Sequence, residues 1–496
     1  MAGPPAHTWF SSRGSRLFLR AIFCARRALW RGKFGMRQEN DLGKDPIGRL
    51  VLRVAVPSML AQFVNVLYSI VDRMYIGNIA GVGELALAGV GICGPVITLI
   101  GSVASLVGIG GAPLMSIRLG EGKKEEARAI LANAFLMLCT LSLVLTGILY
   151  AIRRPMLLFF GASADTIPYA ETYFSCYVAG TIFALLSTGM SQFIICQGYA
   201  KIAMFSVVLG AVLNILLDPV FIFVLRMGVA GAAIATVLSQ LASCCFVLRF
   251  LFGPWPPVSI SFGGYRWRII RRILVIGFTP FAIIAVDNIM IIAMNMVLQR
   301  YGGPDRGDLL VTCATIAQSF MLVVTMPLGG ITGGTQSILS FNYGARHVRR
   351  VRAGQRRIFG LCLAFTAVMT LAAWLGGHGF VRLFTDDPEV ARQARWAIRV
   401  CTLSLLPLGL QYEIVDGFTA IGQVRYSLTL SFWRKFVYFA ALFACPAIWG
   451  AEAAFFAEPV SDLLGPVVSI LVYLLAMNRI LKKRLQTPDP APAETT

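Results

Sequence analysis

Residues 209–225 read LGAVLNILLDPVFIFVL, an apolar run of membrane-crossing character interrupted by Asn214, Asp218 and Pro219. A charge at a bilayer centre costs about 3 kcal/mol on insertion scales. Asn214 precedes Asp218 by one helical turn, so the two side chains can converge on one small volume. Pro219 removes a backbone donor, frees a carbonyl and sets up a bend. A combination this costly implies a task.

Working outward, the 496 residues are 57% hydrophobic and 14% charged, far from the balance of soluble domains. The chain reads as an all-α membrane protein. Since about twenty apolar residues span a bilayer, division at Gly, Pro and charge clusters gives twelve spans. They fall near 50–76, 86–115, 129–151, 170–195, 203–225, 229–252, 273–299, 310–341, 356–377, 394–420, 428–448 and 457–480. The net charge of +20 is sorted by loop, which argues against a nucleic-acid face and for a topology signal attracted to anionic lipid. Outside residues 1–35, alternate loops and both flanks carry 27 Lys and Arg against 10 in the others. Both termini are therefore expected in the cytoplasm. Eleven scattered cysteines show no metal spacing or disulfide framework, and read as small packing residues. Residues 1–35 form a basic extension, possible as a transit peptide but favoured as lying upstream of a true start at Met36. Residues 485–496 read as a Pro-rich disordered tail.

Sliding the chain over itself by 223 residues places Pro57 on Pro280, Asn65 on Asn288 and Gly110-Gly111 on Gly333-Gly334. One nearly constant offset supports duplication. Six spans per half means both halves enter the membrane in the same sense. The expected fold is thus two six-helix bundles related by a pseudo-twofold axis along the membrane normal, a transporter layout. The N-lobe is placed at 45–252, a cytoplasmic linker, FGPWPPVSISFGGYRW, within 253–272, and the C-lobe at 273–484. The clusters GIGG and GGITGG lie inside spans with no preceding strand, so helix packing is the better reading than a phosphate loop.

In the first span Gln62, Asn65, Ser69 and Asp72 share a face, with Tyr68 one turn before Asp72 and Pro57 a potential bend. Asp72 and Asp218 fall at similar depth and can meet. Desolvation and a second carboxylate nearby both favour a protonated state, so the pair can load and release a proton. Sodium held by Asp72, Asn214 and Asp218 is the competing reading. Asp72 beside Arg73 also reads as an interfacial ion, and Asp218 as a cap on a broken helix. In the second half Asp287, Glu413 and Asp416 are candidates for substrate or a second cation, as are Gln62 and Asn65 in the first; polar residues facing a wet cavity are the alternative. Glu458 and Asp462 read as structural, and His378 as interfacial.

These stretches resemble the multidrug and toxic compound extrusion (MATE) transporters, in particular a MepA-like bacterial branch. The carriers are PSMLAQFVNVLYSIVDRMYIG, LGAVLNILLDPVFIF, MGVAGAAIATVLSQ, AIGQVRYSLTLSFWRK and AEPVSDLLG, spread over about 45–484. The resemblance implies antiport, with a cytoplasmic organic cation or drug expelled from a bacterial cell as H+ or Na+ enters, with no cofactor. It also implies that Tyr68, Asp72, Asn214, Asp218 and Thr236 form an N-lobe cation site and that helix one bends at Pro57. Asp287 and Asp416 match a C-lobe acidic site of another branch loosely, because that branch uses Glu in helix seven.

The expected function is a monomeric multidrug efflux antiporter of the bacterial inner membrane. A flippase for a lipid-linked saccharide is the rival, but it would need a basic cavity lining. Intramembrane Arg and Lys are scarce and acid is present, which favours cations. An enzyme would be expected to show a His cluster, metal motif or nucleophile pair; the three histidines, His7, His347 and His378, are not placed for one. A receptor remains open on sequence, although internal duplication argues for alternating access.

Overall fold

The computed structural model describes residues 40–79, 81–385 and 387–486. The basic extension at 1–35, the start at Met36 and nearly all of the tail lie outside them. Among the described residues there is no strand, and fourteen long helices carry the fold. In the N-lobe these are α1 (Ile47–Gly77), α2 (Gly83–Gly120), α3 (Lys124–Phe159), α4 (Ile167–Ala179), α5 (Thr181–Ile195), α6 (Ala200–Pro219) and α7 (Gly228–Phe252). The C-lobe has α8 (Trp267–Gly303), α9 (Arg306–Gly344), α10 (Val348–Val381), α11 (Pro388–Cys401), α12 (Leu405–Ala420), α13 (Val424–Trp449) and α14 (Ala457–Gln486).

Ten of these helices are individually long and apolar enough to cross a bilayer, and two bent pairs bring the total to twelve. The pairs are the difference from the sequence expectation. The fourth span is α4 and α5 bent by 55°, and the tenth is α11 and α12 bent by 50°. At the first break a Cβ on Gly180 would lie 2.5 Å from a methyl of Val237, so glycine lets α7 press against the joint. Pro168 and Pro388 stand in the first turns of α4 and α11, where a missing N–H costs nothing, and Asp387 caps α11 by accepting from Glu389 N at 2.8 Å.

The duplication is visible as reciprocal contacts between lobes. A Cβ on Gly120 would meet Phe341 O at 2.1 Å, and one on Gly344 would meet Ile117 O at 2.1 Å. Each pair maps onto the other by a shift of 224 residues, as a twofold contact must. Gly122 (φ +77°) and Arg346 (φ +59°) occupy the same left-handed turn position in the two repeats. The glycine clusters pack helices, as expected: Gly110 faces Gly277, and Gly334 sits against Ser58.

Close to this α2–α9 crossing, on the face that carries the basic loops, polar contacts bind the lobes. Ser116 Oγ donates to Ser337 O at 3.0 Å. Glu121 accepts from Arg118 of α2 and from Arg484 of α14. Asn342 Nδ2 donates to Leu42 O at 2.9 Å.

Candidate functional site

Between α1, α5, α6, α7 and the glycine face of α9 lies a cavity of about 250 Å³. Its wall includes Gln62, Asn65, Tyr68, Asn214 and Thr236 from the sequence candidates, together with Ser58, which follows Pro57. Asn65 donates to Gln62 at 3.3 Å, and Ser69 returns its hydroxyl to Asn65 O at 2.9 Å. Pro57 is buried within α1, and the helix runs through it from Ile47 to Gly77.

The chain brings Asp72 and Asp218 together. Their carboxyl groups lie within hydrogen-bonding reach of one another. Asn214 Nδ2 donates to Asp218 Oδ1 at 3.1 Å and to Thr236 Oγ1 at 3.2 Å. This follows from the local sequence: Asn214 and Asp218 are one turn apart on α6, and Thr236 faces them from α7. After Pro219 the helix widens into a π turn, Val220–Val224, consistent with the loss of a backbone donor. Asp218 is fully buried. Three buried oxygens here, Asp72 Oδ1, Asn214 Oδ1 and Asp218 Oδ2, have no protein partner. Such orphans are costly, and a proton or a cation would satisfy them. Neither aspartate lines the cavity; they stand one layer behind Tyr68, Asn214 and Thr236.

Sequence reasoning did not reach Tyr173 and Tyr177, whose rings stack with centroids 6.2 Å apart on α4. Tyr173 is within electrostatic range of Asp72, and the Tyr177 hydroxyl stands near Gln240. A signal existed for Gln240. Thr236, Ser239, Gln240 and Ser243 form a polar stripe on α7, and all four line the cavity.

The C-lobe candidates stand apart. Asp287 pairs with Lys435 of α13. Asp416 has Thr332 and Gln336 within reach, whereas both carboxylate oxygens of buried Glu413 lack partners. None of the three lines the cavity. Arg434 and Lys435 fall within the eleventh expected span, 428–448, and both lie inside α13 with side chains 12% and 4% exposed. Intramembrane base is therefore less scarce than the sequence suggested, and both residues are charge-paired. Asp462, fully buried, receives Arg434 at 2.6 Å, a structural pairing. His378 lies exposed beside Arg395. The ten described cysteines are all free, and no group of three or more metal-ligating His, Cys, Asp or Glu occurs among the described residues.

Two pseudo-symmetric bundles around a polar cavity, with carboxyl groups buried behind its wall, define a membrane transporter rather than an enzyme. A family model described as MatE matches residues 57–220 and 284–440, and the chain belongs to that family. It is 22% identical over 441 residues to the multidrug export protein MepA of Staphylococcus aureus (strain MSSA476), covering 88% of this chain and 96% of that protein. Among solved structures, a multidrug resistance MATE family transporter of the MOP superfamily in an outward-facing conformation superposes with a TM-score of 0.83. Identity there is 22%, over 89% of this chain and 98% of the other. A MATE crystal structure in the straight conformation gives a TM-score of 0.83 at 22% identity, over 91% and 99% of the two chains.

Proposed function

We propose that this protein is a secondary antiporter that expels organic cations or amphiphilic drugs across the bacterial plasma membrane in exchange for H+ or Na+, acting as a monomer with both termini in the cytoplasm. The observation that carries the reading is the meeting of Asp72 and Asp218 behind the cavity wall. Membrane-buried acids are kept where ions or substrates must pass. Two carboxyl groups in hydrogen-bonding reach hold one proton between them readily. Sodium would draw on the three unpaired oxygens with help from Tyr68 or Thr236.

Because the aspartates do not line the cavity, cargo and coupling ion need not contend for one carboxylate. Ion arrival would neutralise the pair and reorder Asn214, Thr236 and Tyr68, which do line it. The cavity then changes shape as α1 adjusts around Pro57, so ion entry and cargo exit share one switch. The orientation rests on the basic loops facing the cytoplasm. The lipid-linked saccharide flippase has less support, because no Arg or Lys lines this cavity and Arg434 and Lys435 are already paired.

The test is efflux of a fluorescent cationic dye from energised vesicles, with pH and sodium gradients imposed separately. Asp72→Asn and Asp218→Asn should each abolish ion-driven efflux at unchanged expression. Full efflux in both variants would move coupling away from this site.

A further inference from the structure

A second charged cluster lies in the C-lobe, where α8, α13 and α14 meet. Arg434 donates to Asp462 at 2.6 Å, and this pair is sealed, with side chains 12% and 0% exposed. The neighbouring Lys435 is bonded to Asp287, and here the two partners differ sharply: the lysine side chain is 4% exposed and the aspartate 45%. Behind the lysine, Glu458 and Asp462 are within electrostatic range of its ammonium. Asp462 keeps one buried oxygen, Oδ2, with no hydrogen-bond partner.

That asymmetry has a chemical meaning. Lys435 grips only Oδ1 of Asp287, and Asp287 Oδ2 is not among the buried unpartnered oxygens. Acids at membrane depth face the bundle interior or a water-filled space rather than hydrocarbon, so the exposed half of Asp287 is open to an incoming solute. A flexible ammonium on a four-carbon stem can change partners without moving the backbone, and an unused acceptor waits behind it. The cluster sets three carboxyl groups against two bases.

We propose that Lys435 is a tethered counter-ion: without cargo its ammonium occupies Asp287, and a monovalent organic cation takes that carboxylate by displacing the ammonium onto Asp462 and Glu458. This deepens the function proposed above and rests on its claim that the cargo is cationic. An alkali ion needs several oxygens at once and finds half of one carboxylate. A monovalent organic cation needs one carboxylate, so Lys435 filters for cargo over metal ions.

The experiment is equilibrium binding of ethidium, read by fluorescence anisotropy, to the full-length protein in nanodiscs, with a neutral amphiphilic dye as control. Lys435→Met should tighten ethidium binding by about tenfold and leave the neutral dye unchanged, a gain that loss of a purely structural ion pair would not produce. Lys435→Arg should match the parent. Asp287→Asn should weaken ethidium binding by about tenfold in both the parent and the Lys435→Met background. If Lys435→Met does not fold, Asp287→Asn decides: weaker binding sustains the proposal, unchanged binding overturns it. Ethidium binding that ignores both substitutions overturns this proposal and leaves the function proposed above standing. No ethidium binding by the parent removes the cationic-cargo reading, and this proposal with it.

Discussion

An Asp218→Asn substitution keeps the volume of the side chain and one acceptor for Asn214 while removing the ability to exchange a proton. The variant should therefore fold and reach the membrane, yet lose at least about tenfold in ion-driven dye efflux, within the usual range of coupling energies between two ligands. Thr236→Val is the milder probe. It removes one acceptor of Asn214 Nδ2, bonded at 3.2 Å, which is worth about 1 kcal/mol. Its expected signature is retained transport with a shifted half-maximal pH or sodium concentration, measured in the same vesicles; an unshifted profile would detach Thr236 from the site. That Asp72, Asn214 and Asp218 meet was legible in the sequence, because a carboxylate inside an apolar run announces itself. Tyr173 and Tyr177 were not, because an aromatic side chain in a membrane span is the usual choice for packing. Lys435 fell within the eleventh expected span, but its pairing with Asp287 of α8 is a tertiary contact without a local signal.

At the scale of helices, the positions of the twelve spans followed from hydropathy alone, while the breaks in the fourth and tenth did not. Gly180 looks like any other glycine until Val237 of α7 is seen against it, a tertiary contact without a local signal. The glycine clusters were more informative, since small residues recurring in membrane helices permit close backbone approach. The α2–α9 crossing makes this quantitative. Gly120 and Gly344 each meet a backbone carbonyl where a Cβ would stand, and backbone cannot yield as a flexible side chain does. Gly120→Ala and Gly344→Ala should each destabilise the protein by about 1–3 kcal/mol, the usual cost of overpacking. Because the contacts are related by the pseudo-twofold axis, the two losses should be alike. Thermal unfolding of each variant in detergent, followed by tryptophan fluorescence, checks both claims, and a large loss in only one would argue against reciprocity.

The two lobes are also joined at the basic face by a clasp whose pH behaviour can be worked out. Glu121, between α2 and α3, is half-withdrawn from solvent; burial pushes its carboxyl up, but hydrogen bonds and charge from Arg484 and Arg118 outweigh this and hold it below the usual range. A carboxyl whose folded pKa is depressed contributes stability fully above its unfolded value, and that contribution is lost as pH falls through the folded one. With an ordinary Glu value of about 4.3, the clasp is at full strength throughout the neutral range. The difference in melting temperature between the parent and Glu121→Gln should hence stay constant from about pH 8 to pH 6 and close only below about pH 4. A difference that shrank near neutrality would mean that Glu121 titrates there and that the clasp itself senses pH. If it stays flat, a transport cycle responding to pH near 7 cannot take its signal from the joint between the lobes. The signal must then come from acids without so strong a basic partner; Asp72 with Asp218, behind the cavity wall, are one such pair, and Glu413 with Asp416 in the C-lobe are another.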